Sequence, residues 1–252
     1  MTNRFLLCFL VVFVFSSCSS AIDCSDQQNA SCTRVLFLGN SYTFVNDLPN
    51  TFAQLANAGK HAAKAGVVAE GGWTLADHVQ SGSTHKALRE SNWDYVVLQE
   101  QSQIPSVEQS RTFSMYPAAR ALVQEIRDRN ASPILFLTWA HQDGYPEEGM
   151  KDYESMQYQI KDGYIAISRE LNVPVAEVGS AWLAAVRSHP ELHLWQEDGS
   201  HPSEEGTYLA ACVFYAVIFQ ESPIDLPYRA RLSKETATTL QTIASETVLG
   251  IP

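Results

Sequence analysis

Short apolar runs, nearly free of polar residues, alternate along this chain with longer stretches whose apolar positions recur every three or four residues. Five runs read as strands: 34–39 (RVLFLG), 67–70 (VVAE), 95–99 (YVVLQ), 133–139 (PILFLTW) and 174–179 (PVAEVG). A run without polar alternation fits a strand covered on both faces, as in a parallel sheet. Residues 49–64 carry Phe52, Leu55, Ala56 and Ala63 at helical spacing, with Gly66 after the last turn. Residues 118–129, 152–171, 204–219 and 233–246 read as further helices. Strands that alternate with helices long enough for crossovers predict an α/β fold: a mostly parallel five-stranded sheet sandwiched by helices.

The opening segment, MTNRFLLCFLVVFVFSSCSSA, obeys neither pattern. It has one positive charge at Arg4, an apolar stretch over 5–15, then small residues. A bilayer span needs about 20 apolar residues, so this shorter stretch reads as an export signal, and no transmembrane helix is expected in the mature chain. Cleavage at 21/22 suits Ser19 and Ala21. Alternatively, Phe15-Ser16-Ser17-Cys18 resembles a lipobox, with cleavage at 17/18 and a lipid anchor on Cys18. The reading is therefore a signal over 1–21, a polar leader over 22–33 and a single domain over 34–252, located outside the cell, in the periplasm or lipid-anchored to the envelope. Cys24 and Cys32 could pair in an oxidising compartment, whereas Cys212 lies in an apolar run that suits a buried thiol.

A length of 252 residues and a hydrophobic fraction of 45% suit one domain with a substantial core. Lysine and arginine number 17 against 28 aspartates and glutamates, a formal charge of −11, so no basic footprint awaits nucleic acid. No phosphate-binding glycine motif follows the first strand, and no matched CxxC pairs suggest zinc. No heptad fixes an oligomeric state.

In a parallel sheet, reactive groups gather beyond the carboxyl ends of the strands. Unusual polar clusters follow the first four: Asn40-Ser41, Gly71-Gly72-Trp73, Glu100-Gln101-Ser102 and His141-Gln142-Asp143. A serine hydroxyl becomes nucleophilic when a histidine takes its proton and a carboxylate orients the ring. Of the seven histidines, His201 stands apart. Asp198 precedes it by three residues, Gly199 permits a tight turn, Pro202 restrains the backbone, and Ser203-Glu204-Glu205 opens a helix.

Taken together, FLGNS, EGGW, VVLQEQS and DGSHPSEEGTYLAA resemble the SGNH, or GDSL-like, hydrolase superfamily over residues 34–219. A GNS opening with a DGxHPS close is the form of one bacterial group within it. The resemblance implies a flavodoxin-like three-layer α/β/α fold and cofactor-free, metal-free esterase chemistry. It assigns the nucleophile to Ser41, the acid and base to Asp198 and His201, and oxyanion donors to the Ser41 N–H and Gly72, with Gly71 adjacent. Asn40 stands where the family has aspartate, and the family's asparagine donor is missing. Gln101 is the first choice to replace it, with Gln99 the alternative. Trp73, Trp139, His141 and Trp195 are candidate substrate contacts, and Trp182 lies in the same set of aromatics. The substrate expected is a small-molecule or carbohydrate ester, with removal of acetyl groups from polysaccharide the leading specific reading. A noncatalytic carbohydrate-binding protein or a degenerate hydrolase homologue is the alternative.

Overall fold

A computed structural model describes residues 24 and 32–251. The segment read as a signal, its Cys18 and most of the leader lie outside the described residues. Five parallel strands form one sheet: β1 (Thr33–Gly39), β2 (Ala63–Ala69), β3 (Tyr95–Leu98), β4 (Ser132–Phe136) and β5 (Val175–Ala176). The helices are α1 (Ser41–Phe44), α2 (Leu48–Ala58), α3 (Leu75–Gln80), α4 (Gly82–Glu90), α5 (Glu108–Ser110), α6 (Tyr116–Arg127), α7 (Tyr153–Leu171), α8 (Val178–Ser188), α9 (Glu204–Phe219) and α10 (Lys234–Leu249).

Side chains alternate across the strands and so divide the core in two. Val35, Phe37, Val97, Ile134 and Phe136 face α2, α8, α9 and α10, while Leu36, Leu38, Val96, Leu98 and Leu135 face α3, α4, α6 and α7. The result is the three-layer, flavodoxin-like α/β/α arrangement. Helix α9 is buried almost all round, from Gly206 to Ala216, as expected of a helix apolar on every face.

The strand order is β2-β1-β3-β4-β5. The chain therefore winds away from β1 in both directions and leaves a crevice beyond the carboxyl ends of β1 and β3. Register pairs Leu38 with Leu98 and Gly39 with Ala69, so the polar clusters after three strands end at similar height.

Several elements differ from the sequence reading. The helix expected to reach residue 64 stops at Ala58, and β2 begins at Ala63. The small alanines there fit either state, and pairing with all seven residues of β1 decides for strand. Gly66 is the seat for the Trp93 ring, which lies where a β-carbon would go, at 2.5 Å. The strand expected over 174–179 is only two residues long, because the chain turns into α8 at Val178. The short α3 and α4 were not expected. Each is set by a side-chain cap, Thr74 and Ser81, rather than by an apolar stripe.

Cys24 and Cys32 are joined by a disulfide with Cα atoms 5.5 Å apart, and Cys212 is a buried free thiol. Among the described residues, no helix is long and apolar enough to cross a membrane.

Phe37 is fully buried, edge-on to Phe214 at 5.2 Å and to Phe52 at 6.0 Å. Phe37→Ala should lower unfolding free energy by about 3–5 kcal/mol, measured by denaturant titration.

Candidate active site

The crevice places one residue after β1 under tight control. Asn40 caps the single turn of α1, and its Oδ1 accepts the Tyr42 N–H at 3.1 Å. Its Nδ2 donates to the Trp73 carbonyl at 2.8 Å, tying the glycine turn to the serine turn. An amide can cap and donate at once, which gives Asn40 a physical role that a carboxylate could fill only in part. Beneath it, Gln99 Oε1 accepts both the Asn40 N–H at 2.8 Å and the Thr43 hydroxyl at 2.9 Å. That approach requires glycine at 39, since a β-carbon there would collide with Gln99 Oε1 and Thr43 Oγ1. His78, fully buried, donates from Nε2 to the Gly39 carbonyl at 2.9 Å and accepts from Thr84 Oγ1 at Nδ1. Burial holds its pKa below the usual imidazole range.

Ser41 thus projects from the start of a one-turn helix. His201 Nε2 lies 2.9 Å from Ser41 Oγ, and His201 Nδ1 lies 2.5 Å from Asp198 Oδ2. The other carboxyl oxygen of Asp198 accepts the Ser200 and His201 N–H groups, each at 2.9 Å. Partial burial pushes the Asp198 pKa up, but the hydrogen bonds from His201 and from these two N–H groups outweigh it and hold it down to about 2. The carboxylate is therefore ionised throughout the neutral range.

The loop around His201 is pinned by its carbonyls. Gln142 N–H binds the Gly199 carbonyl at 2.8 Å, Trp139 Nε1 the Ser200 carbonyl at 3.0 Å, Gln196 N–H the His201 carbonyl at 2.9 Å and Asn46 Nδ2 the Pro202 carbonyl at 2.9 Å. Gly199 takes φ +66, the left-handed conformation that glycine adopts without a steric cost. Tyr42 joins the loop to the serine turn by a 2.7 Å hydrogen bond to Ser200 Oγ, and burial raises its phenol to about 12.

A cavity of about 420 Å³ opens over these groups, lined by Ser41, Gly72, Gln101, Ser102, His141 and His201 among others. None of its lining residues is Val, Leu, Ile, Met or Phe. Gly72, at φ +75, occupies the third position of the turn closed by Trp73 N–H to the Glu70 carbonyl at 3.2 Å. Gln101 Oε1 accepts the Gln103 and Ile104 N–H groups at 2.8 and 3.3 Å, which turns its NH2 toward Ser102 Oγ at 3.3 Å.

Solved structures share this arrangement of strands and helices. An SGNH hydrolase candidate from Slackia heliotrinireducens is 29% identical over 73% of this chain and 97% of its own, with a TM-score of 0.63. A DUF4886 family protein from Bacteroides uniformis superposes at a TM-score of 0.75, with 21% identity over 86% of this chain and 95% of its own. The chain is a structural homologue of the SGNH/GDSL-like hydrolases. An acetyl xylan esterase, AlAXEase, shares the fold at a TM-score of 0.58 and 14% identity, over 73% of this chain and 99% of its own. No sequence-family model matches the chain, and a search of curated proteins finds no match. The homology supports a hydrolase of this general class.

Against this SGNH/GDSL-like frame, the structure sorts the sequence candidates. Ser41, Gly72, Gln101, His141 and His201 line one cavity, and Asp198 stands behind His201. Gln99 does not reach it: fully buried, it spends its NH2 on the Glu100 carbonyl at 2.6 Å. Trp139, expected to touch substrate, is fully buried and stacks between Tyr42 at 4.5 Å and Trp182 at 4.1 Å. Its contribution is the hydrogen bond to the His201 loop. Trp195 packs edge-on to Trp182 and lines a separate cavity with Gln142, His193 and Glu197. Trp73 stands edge-on to His78 at 5.1 Å and is not among the residues lining the Ser41 cavity. His141 Nε2 is 3.0 Å from Ser102 Oγ; burial lowers its pKa, partly opposed by Asp198 and reinforced by His201.

Sequence reasoning gave no role to Tyr42 or Ser200, and it noted only as members of a polar cluster Ser102 and the buried Glu100. The visible signal for the last was a carboxylate directly after four apolar strand residues and a glutamine, where water has no access.

Gly39→Ala would force Gln99 and Thr43 apart. It should destabilise the protein by about 1–3 kcal/mol in denaturant titration and lower p-nitrophenyl acetate turnover at least about tenfold, as small displacements of reacting groups do.

Proposed function

We propose that this chain is an exported serine esterase that cleaves an acyl ester through an acyl-enzyme. The observation that carries this reading is the continuous contact Ser41 Oγ to His201 Nε2 at 2.9 Å and His201 Nδ1 to Asp198 Oδ2 at 2.5 Å. His201 accepts the Ser41 proton at Nε2 as Oγ attacks the ester carbonyl carbon, and Asp198 holds the ring with its Nδ1 proton toward the carboxylate. Negative charge on the carbonyl oxygen is met by the N–H groups of Ser41 and Gly72 and by the Gln101 NH2. The tetrahedral intermediate collapses, His201 protonates the departing alcohol, and water then attacks the acyl-serine by the same route. No step calls for a cofactor or metal.

Substrate class follows from the walls. A cavity of about 420 Å³ walled by Tyr42, His141, Gln101, Ser102 and two glycines gives a long acyl chain no aliphatic side chain to pack against, each buried CH₂ being worth about 0.8 kcal/mol. It suits a small acyl group, acetyl above all, on a polar alcohol such as a sugar. Deacetylation of carbohydrate is the specific reading, in keeping with the acetyl xylan esterase named among the structural relatives. His141 is the substrate-contacting candidate that the cavity retains. Export is supported by the opening apolar segment and by the Cys24–Cys32 disulfide, which suits an oxidising compartment. Both a freed N-terminus and a lipid-anchored Cys18 accommodate the disulfide.

Ser41→Ala should abolish hydrolysis of p-nitrophenyl acetate, and Asp198→Asn should lower kcat by about 10^4-fold by favouring the wrong imidazole tautomer. Equal rates in folded wild type and Ser41→Ala would end the nucleophile assignment. A screen of p-nitrophenyl esters should show kcat/KM falling steeply beyond butyrate, with acetylated xylo-oligosaccharide cleaved; preference for octanoate or longer would contradict the substrate reading.

A further inference from the structure

Glu100 follows β3 and is fully buried, yet the acyl-transfer scheme above does not use it. Its Oε1 accepts two main-chain donors, the Gln101 N–H at 2.7 Å and the Leu75 N–H at 3.1 Å. Its own N–H donates to Tyr164 Oη on α7 at 3.2 Å, and its carbonyl accepts Gln99 Nε2 at 2.6 Å. Among the described residues, Oε2 has no hydrogen-bond partner. A carboxyl group that loses all contact with water and leaves one oxygen unpaired is costly. A hydrophobic residue would fill the same space without that cost, but it could not gather these donors.

The two glutamines beside it have opposite tasks. Gln99 grips the serine turn from below through Asn40 and Thr43. Gln101 lines the Ser41 cavity and sets its NH2 against Ser102 Oγ. Glu100 is bonded to both, by its carbonyl to one and its carboxyl to the other, and it fastens them to the first turn of α3.

We propose that Glu100 is a positioning residue for acyl transfer, acting through Gln101: its carboxyl sets where the Gln101 amide stands relative to Ser41, and the charge it carries decides how firmly. The proposal rests on Ser41 as nucleophile and Gln101 as oxyanion donor. The titratable groups facing Glu100 are Asp77 from α3 and Tyr164 from α7. Asp77 stays ionised in the neutral range because hydrogen bonds from the Thr74 N–H and hydroxyl lower its pKa. Burial keeps Tyr164 protonated. Burial likewise pushes Glu100 up to about 7, against the pull of the Gln101 and Leu75 N–H groups, with Asp77 adding to the rise. A folded-state pKa above the unfolded value means that the native form binds the extra proton. Its contribution to stability is therefore lost as pH rises from the ordinary carboxylate range to about 7.

The test is a double-mutant cycle on p-nitrophenyl acetate hydrolysis with Glu100→Ala, Gln101→Ala and the pair. Each single variant should lose about 100-fold in kcat, the lower range for one oxyanion donor, with KM within about threefold of wild type. The double variant should fall no more than about threefold below the weaker single, because both changes remove the same donor. Losses that multiply, or a Glu100→Ala enzyme at wild-type kcat, overturn the proposal. If Glu100→Ala does not fold, Glu100→Gln decides, since it keeps an acceptor for both N–H groups and removes the charge. Wild-type kcat should then show an ionisation near pH 7 that Glu100→Gln lacks, with the melting temperature of the variant gaining on wild type as pH rises. Superimposable pH profiles overturn the proposal. Wild-type rate in Ser41→Ala would instead overturn the nucleophile assignment, so the two failures are distinct.

Discussion

A single buried oxygen, Gln99 Oε1, sets the position of the serine turn. It accepts from Asn40 and Thr43, and it can approach only because residue 39 has no side chain. Two parallel strands that neighbour one another in the sheet are thereby joined at their ends as well as along their edges. Leaving a buried donor such as the Asn40 N–H unpaired costs about 1–3 kcal/mol, so the bond resists any drift of β1 against β3. From that fixed end, Asn40 reaches the glycine turn and Tyr42 reaches Ser200. The cavity is organised outward from the sheet, one hydrogen bond at a time.

The histidine side depends on a different device. Asp198 and His201 keep 47% and 36% of their side-chain exposure, so solvent screens their attraction and burial does little to hold them. Position comes from the backbone: the carbonyls of residues 199–202 all have donors drawn from other parts of the fold or loop. The stacked rings of Tyr42, Trp139 and Trp182 support the same loop from below. An acid–imidazole pair near water can thus keep its orientation without the desolvation penalty of a buried one.

Much of this was legible in the chain. Runs such as YVVLQ and PILFLTW lack alternation because both sheet faces are covered, and that physics is local. The grouping of Ser41 with His201 was legible because a parallel sheet brings strand ends together and because DGSHP concentrates an acid, a turn and an imidazole. Less legible was the direction of side chains. Trp139 follows β4 as a rim residue would, yet it points into the core between two other rings, an outcome set by residues 42 and 182. Gln99 and Gln101 are near-identical in sequence terms, and only their burial separates a clamp from a cavity amide. Strand β2 was misplaced for a related reason: alanines carry no preference strong enough to overrule pairing with β1.

The disulfide before β1 has a geometric consequence. Because Cys24 lies 5.5 Å from Cys32 by Cα, the incoming polypeptide is stitched to the foot of β1, whereas Ser41 sits past the strand's head. Seven residues of strand, at about 3.3 Å each, separate the two. The crosslink and the reacting groups therefore lie at opposite ends of one strand, so the stitch holds the foot of the sheet without touching the crevice.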